Sequence, residues 1–119
     1  MKLYVSPRAP NPRRVLMFLA EKGVQLPLQN VDLNAQEHKS AAFRAKSPLA
    51  RIPALELDDG RVLTETRAIC TFLEGLHPEP NLMGVDATER AFIEMADRRV
   101  EWYFICLLYT SPSPRDLST

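Results

Sequence analysis

At 119 residues the chain is long enough for one compact domain and little more. Its 15 basic side chains are balanced by 15 acidic ones, which excludes nucleic-acid or anionic-membrane binding driven by bulk charge. A hydrophobic content of 45% fits a globular protein, and no apolar run reaches the about 18 residues that a membrane span needs.

Taken in order, Lys2–Ser6 reads as a strand, with no secretion signal before it. Ser6–Pro12, SPRAPNP, is a loop with three prolines. A helix over about Pro12–Lys22 carries the apolar stripe Val15, Leu16, Phe18 and Leu19, tolerates Pro12 in its first turn and stops at Gly23. Leu26–Val31 reads as a second strand, Asp32–Ser40 as a polar loop, and Ala41–Lys46 as a short helix ended by Ser47-Pro48. Ala54–Leu57 is the next strand, Asp58-Asp59-Gly60 its turn, and Arg61–Leu63 the returning strand. Thr64-Glu65-Thr66 opens a helix with Ile69, Phe72, Leu73 and Leu76 on its apolar face. His77–Val85 reads as a linker, and Asp86-Ala87-Thr88-Glu89 as a capping box that starts a further helix through Tyr103.

Two features suggest more than packing. Pro53 directly precedes a strand. A cis bond there would turn the Ile52 backbone outward toward a ligand, and the ordinary alternative is a trans peptide, since only about 5–6% of X–Pro bonds in folded proteins are cis. Glu65-Thr66 lies where free N–H groups leave a helix start, a place for a carboxylate or simply a cap.

The order and spacing of these features resemble the glutathione transferases. That family carries a Val/Ile-Pro-x-Leu strand, a D-x-G hairpin and an acidic-hydroxyl pair opening the next helix. Residues 1–105 are similar to an atypical fungal and bacterial subgroup, through LYVSPRAPNPRRV at 3–15, LAEK at Leu19–Lys22, EHK at Glu37–Lys39 and IPALELDDG at Ile52–Gly60. The resemblance implies an α/β fold: a thioredoxin-like βαβ-α-ββα domain followed by the first helix of an all-α domain. It places the thioredoxin-like domain at 1–77, a linker at 78–86 and the truncated helical domain at 87–105. From Cys106 the helical period gives way to a Ser/Pro-rich tail resembling a translated sequencing adapter, so 106–119 is expected to be non-native.

A transferase of this kind favours the thiolate of glutathione, which attacks an electrophile in a detoxifying conjugation. Lowering a thiol pKa from about 8.5 to about 6.5 takes roughly 2.7 kcal/mol. A helix N-terminus supplies about 0.3–2 kcal/mol, and one hydrogen bond to the charged sulfur about 1.5–3 kcal/mol, so a specific donor is expected near the first helix. Yet Ala9 stands where the cysteine-type members place their nucleophile, and the hydroxyl of the serine type is also missing. Tyr4 reads as core-facing. Ser6 remains as a catalytic donor or a loop cap, and Asn11 as a ligand-facing group or the N-cap of the first helix.

By position, the resemblance implies that Ile52, with a cis Pro53, pairs with the cysteinyl unit of glutathione. Glu65 and Thr66 would hold its γ-glutamyl end. His38 and Lys39 either reach the glycyl carboxylate or belong to a solvated loop. Arg14 and Arg67 read as surface or interface charges. In the atypical subgroup polar groups of the helical domain act on the thiol through water. The implied partners are glutathione as co-substrate, a small electrophile and a second copy of the whole protein, with no metal, nucleic acid or membrane, in the cytoplasm. The alternative is a transferase-like module that binds without catalysis. A thioredoxin-like redox protein is excluded, because neither Cys70 nor Cys106 lies at the redox loop.

Overall fold

The computed structural model describes residues 1–105, so the tail with Cys106 lies outside the described residues. The backbone divides into two compact units, one over Met1–Pro80 and one from Asn81 onward. In the first, strands β1 (Lys2–Val5), β2 (Leu28–Asn30), β3 (Ala54–Glu56) and β4 (Val62–Thr64) form one sheet in the order β2-β1-β3-β4. β1 and β2 run parallel around helix α1 (Pro10–Lys22), and the β1–β3 and β3–β4 pairs are antiparallel. Helix α2 (Ala41–Arg44) joins β2 to β3, and α3 (Thr66–Leu76) follows β4. This is the thioredoxin-like α/β architecture expected from the sequence.

β1 is central and covered on both faces, since Leu3, Tyr4 and Val5 are all buried. Alternation splits them. Tyr4 pairs with Ala54 and clusters with Val31 and Phe43, while Leu33, Ile52 and Val62 pack around that cluster. Leu3 pairs with Leu55 and points the other way, and Val15 and Leu19 of α1 and Ile69 and Leu73 of α3 are buried outside the Tyr4 cluster. α1 ends in a left-handed turn at Gly23, φ 68°, where the Gly23 and Val24 N–H groups close on Ala20 and Leu19 carbonyls.

Most elements lie within two residues of the sequence reading, and two differences have physical causes. α1 starts at Pro10, with Ala9 as its N-cap, so Asn11 is inside the first turn and not the cap. Its amide oxygen instead accepts from Arg14 Nη1 at 3.1 Å. An uncapped start is tolerable because Pro10 and Pro12 have no N–H, which removes two of the donors that a cap would serve. The expected loop before α2 contains a 3₁₀ turn over Glu37–Lys39. Local side-chain bonds build it: Glu37 accepts from the Asp32 N–H at 2.9 Å, and Asp32 accepts from the Ala35 N–H at 3.0 Å.

In the second unit Asn81 clasps Gly84, donating to its carbonyl at 3.2 Å and accepting from its N–H at 2.7 Å. Gly84 sits at φ 102°, and a Cβ there would lie 2.7 Å from the Arg90 backbone nitrogen, so only glycine fits. Helix α4 (Ala87–Val100) is capped by Asp86, whose carboxylate accepts from the Glu89 N–H at 2.8 Å. None of its residues is buried, and Phe92, Met95, Trp102 and Tyr103 are exposed. Arg98 bridges Glu94, Asp97 and Glu101, which together hold its guanidinium above the ordinary arginine range; the hydrogen bond to Asp97 is the largest cause. No helix among the described residues is long and apolar enough to cross a membrane.

Candidate functional site

Strand register decides which candidate residues meet. Ala54 pairs with Thr64, so Ile52-Pro53 and Glu65-Thr66 leave the sheet at the same end. Tyr4 pairs with Ala54 on the other side, so Val5 and Ser6 run out at that end too. β2 is parallel to β1, and the Val31 N–H continues the ladder to the Val5 carbonyl at 2.8 Å, so the segment carrying His38 and Lys39 departs from the same rim. The N-terminus of α1 follows Ser6 by one turn. Ligand sites of open α/β sheets form at the carboxyl ends of parallel strands, and this rim is that end.

The Ile52–Pro53 peptide is cis. Ile52 packs its side chain on the Tyr4 cluster, and its own N–H and C=O take no hydrogen-bond partner among the described residues. A short backbone edge, one donor and one acceptor, is thus left beside β3.

Glu65 is the N-cap of α3 at φ 74° and ψ 120°, with no side-chain bond to the helix start. A positive φ in a residue with a side chain costs about 1–3 kcal/mol and persists where surrounding structure enforces it. Here enforcement comes from β4 on one side and from α3 on the other, where the Ile69 N–H donates to the Glu65 carbonyl at 3.0 Å. The cap therefore does not occupy the helix mouth, which keeps its partial positive charge for an anion. Thr66, the first helical residue, is buried, and its hydroxyl has no partner among the described residues. Nothing in the sequence signals the Glu65 backbone, because glutamate has no left-handed preference.

Ser6, Ala9 and Asn11 define the α1 mouth. The Ser6-Pro7-Arg8-Ala9 turn closes through the backbone, Ala9 N–H to Ser6 carbonyl at 3.2 Å. The Ser6 hydroxyl makes no hydrogen bond among the described residues, so it does not cap the loop as the sequence allowed. Of the first three helical residues only Asn11 owns an N–H, and its side-chain oxygen already serves Arg14. The supply of donors for an anion here is therefore small. His38 is half-buried, and its Nδ1 is shielded from solvent without a hydrogen-bond partner, whereas Lys39 is exposed.

Tyr4 is no part of this mouth. Its hydroxyl donates to Glu56 at 2.7 Å, and its ring packs edge-on against Phe43. Burial, and secondarily the bond to Glu56, push its phenol above the ordinary range, so it stays protonated. Glu56, held below the usual carboxylate range by Tyr4 and then Lys46, also takes Lys46 at 3.3 Å. Tyr4 thus faces the core.

Ser47, read from the sequence only as the end of the short helix, is 1% exposed and bonded twice to the Arg51 backbone. The only available signal was a serine before a proline, five residues upstream of Ile52.

Known proteins match this chain in sequence and in fold. The sequence model of the glutathione S-transferase N-terminal domain matches residues 9–76. Glutathione S-transferase 2 of Saccharomyces cerevisiae is 38% identical over 103 residues, 85% of this chain and 44% of that protein. Maleylacetoacetate isomerase of Pseudomonas aeruginosa is 38% identical over 93 residues, 76% and 44% of the two chains. The crystal structure of a glutathione S-transferase domain-containing protein from Marinobacter aquaeolei VT8 superposes with a TM-score of 0.81 at 43% identity, covering 85% of this chain and 50% of that one. The chain thus spans about half the length of these relatives. With the cis Ile52–Pro53 peptide and the uncapped helix mouth at one rim, the β3–β4 hairpin linking them, and a family match across nearly the whole first unit, the chain belongs to the glutathione S-transferase family.

Proposed function

We propose that this chain is the glutathione-binding half of a glutathione S-transferase. The observation that carries the reading is the pairing of Ala54 with Thr64, which brings the open backbone edge of Ile52 and the helix mouth at Glu65-Thr66 to one rim. Ile52 pairs with the cysteinyl unit through its N–H and C=O. Thr66 and the first N–H groups of α3 hold the γ-glutamyl carboxylate. His38 and Lys39 face the glycyl carboxylate. The domain extends over 1–77, with a linker at 78–86 and the opening helix of the all-helical domain at 87–105.

The chemistry is a conjugation. The bound thiol loses its proton, the sulfur forms a bond to an electrophilic carbon, and the leaving group departs with the bonding electrons. Stabilising the thiolate takes roughly 2.7 kcal/mol for a two-unit fall in pKa. The α1 mouth offers the Asn11 N–H and the Ser6 hydroxyl, and the remainder comes from polar groups of the helical domain. The whole protein works in the cytoplasm as a homodimer.

Negligible turnover by the 119-residue chain itself follows. In a conjugation assay with a generic aromatic electrophile and glutathione, its rate is expected to stay at the uncatalysed background, while a version extended to the length of its relatives turns over. Robust activity of the chain alone would contradict the division of labour. Ala9 favours a second reading, a module that binds glutathione without catalysis, and an extended version that binds but shows no conjugation would establish it.

A further inference from the structure

We propose that Ser47 is a positioning residue for the glutathione-binding edge, fixing the Arg51 backbone and through it the ligand-facing amide of Ile52. The inference rests on the reading above that Ile52 meets the cysteinyl unit. The Ser47 hydroxyl donates to the Arg51 carbonyl at 2.8 Å and accepts from the Arg51 N–H at 3.1 Å. One side chain thus occupies both polar groups of a single backbone residue four positions on. Two main-chain bonds anchor Ser47 itself: its N–H donates to the Phe43 carbonyl at 2.8 Å, and its carbonyl accepts from the Ala50 N–H at 2.8 Å. The loop closes with Ala50 in the left-handed region at φ 56°.

Phe43 belongs to the buried cluster with Tyr4, Val31 and Ala54, and Ile52 packs on the same cluster. Arg51 is therefore gripped by Ser47, and the residue after it by the core. A serine that merely filled space would not place its one donor and an acceptor site on the same backbone residue. Both bonds are partly buried and Arg51 itself is exposed, so removing the hydroxyl frees the Arg51 backbone to shift. The loss then falls on the position of the Ile52 edge more than on the survival of the fold.

The test compares two probes on the 119-residue chain and its variants by solution NMR titration. Glutathione engages both the Ile52 edge and the Glu65-Thr66 mouth, and the γ-methyl ester of glutamate, which has neither the cysteinyl N–H nor the cysteinyl carbonyl, engages the mouth alone. Ser47→Ala is expected to weaken glutathione about fivefold and the γ-methyl ester of glutamate less than about twofold, as the loss of one backbone contact predicts. Ser47→Thr, which retains a hydroxyl, is expected to restore glutathione binding. If Ser47→Ala does not fold, Ser47→Cys carries the same comparison, with nearly the same volume and far weaker hydrogen bonding. A folded variant that binds glutathione as the parent does, or loses both probes alike, overturns the proposal. A parent chain that binds neither probe removes the glutathione reading itself, and the positioning role with it.

Discussion

Thr66→Val lowers glutathione affinity by about tenfold or more while leaving the melting temperature within a degree or two, given that a hydrogen bond to a charged group contributes about 1.5–3 kcal/mol. The expected separation of binding from stability comes from the environment of the side chain. Thr66 is buried, so a valine of nearly the same shape preserves the packing. Its hydroxyl makes no bond among the described residues, so the fold loses none when it goes. In the proposed complex that hydroxyl meets the γ-glutamyl carboxylate, and the interaction is charge-assisted. The affinity is read by calorimetry and the stability by thermal unfolding. An unchanged dissociation constant in a folded Thr66→Val chain would mean that the helix mouth does not hold the ligand.

Lys22→Ala is expected to destabilise the first unit by about 3 kcal/mol, at the lower end of the range for breaking a buried ion pair. For a domain of this size that corresponds to a fall of roughly 12 °C or more in melting temperature. Lys22 has a side-chain exposure of 0%, and its ammonium reaches both the Glu74 carboxylate on α3 and the Pro80 carbonyl at the end of the unit. Its charge also lies 5.6 Å from the centre of the Phe18 ring. One side chain therefore ties α1 to α3 and to the segment that closes the domain. The double variant Lys22→Met with Glu74→Gln removes both charges and is expected to recover part of the loss, because an unpaired buried charge is worse than none. A Lys22→Ala chain that melts like the parent would show that the pair contributes little.

Lys22 also illustrates where reading the sequence stops. LAEK was visible only as part of a resemblance. Nothing in its spacing reveals that the lysine points inward, because a lysine in the last turn of a helix is ordinarily a solvated charge near the negative end of the dipole. The helices and strands were legible because their signals are local: the apolar period of α1 and α3, the Asp58-Asp59-Gly60 turn, and Asp86 three residues before Glu89. The start of α1 was misplaced for an equally physical reason. Asn11 is a strong cap by type, but two flanking prolines leave little to cap, and the helix begins earlier with alanine at its N-cap.

The candidate site was half legible. Ile52-Pro53 and Glu65-Thr66 stand out by residue type, and their meeting at one rim depends on strand register, which hydrophobic pattern fixes only to the face and not to the partner. The twisted backbone of Glu65 and the double grip of Ser47 on Arg51 are properties of the assembled fold. Ser6 and Asn11 were reasonable donors by type. The structure leaves the Ser6 hydroxyl without a partner and engages the Asn11 oxygen with Arg14, a difference visible only once the turn between β1 and α1 is built.

In the proposed complex one rim of the sheet, formed by the Ile52 edge and the mouth of α3, receives glutathione. Backbone NMR of the 119-residue chain, titrated with glutathione, tests it most directly. Saturable shifts of the Ile52, Glu65 and Thr66 amides are expected, with Asp58–Arg61 at the opposite end of the β3–β4 hairpin unmoved. Saturable shifts confined to that hairpin turn or to α4, with Ile52 and Thr66 unchanged, would contradict it.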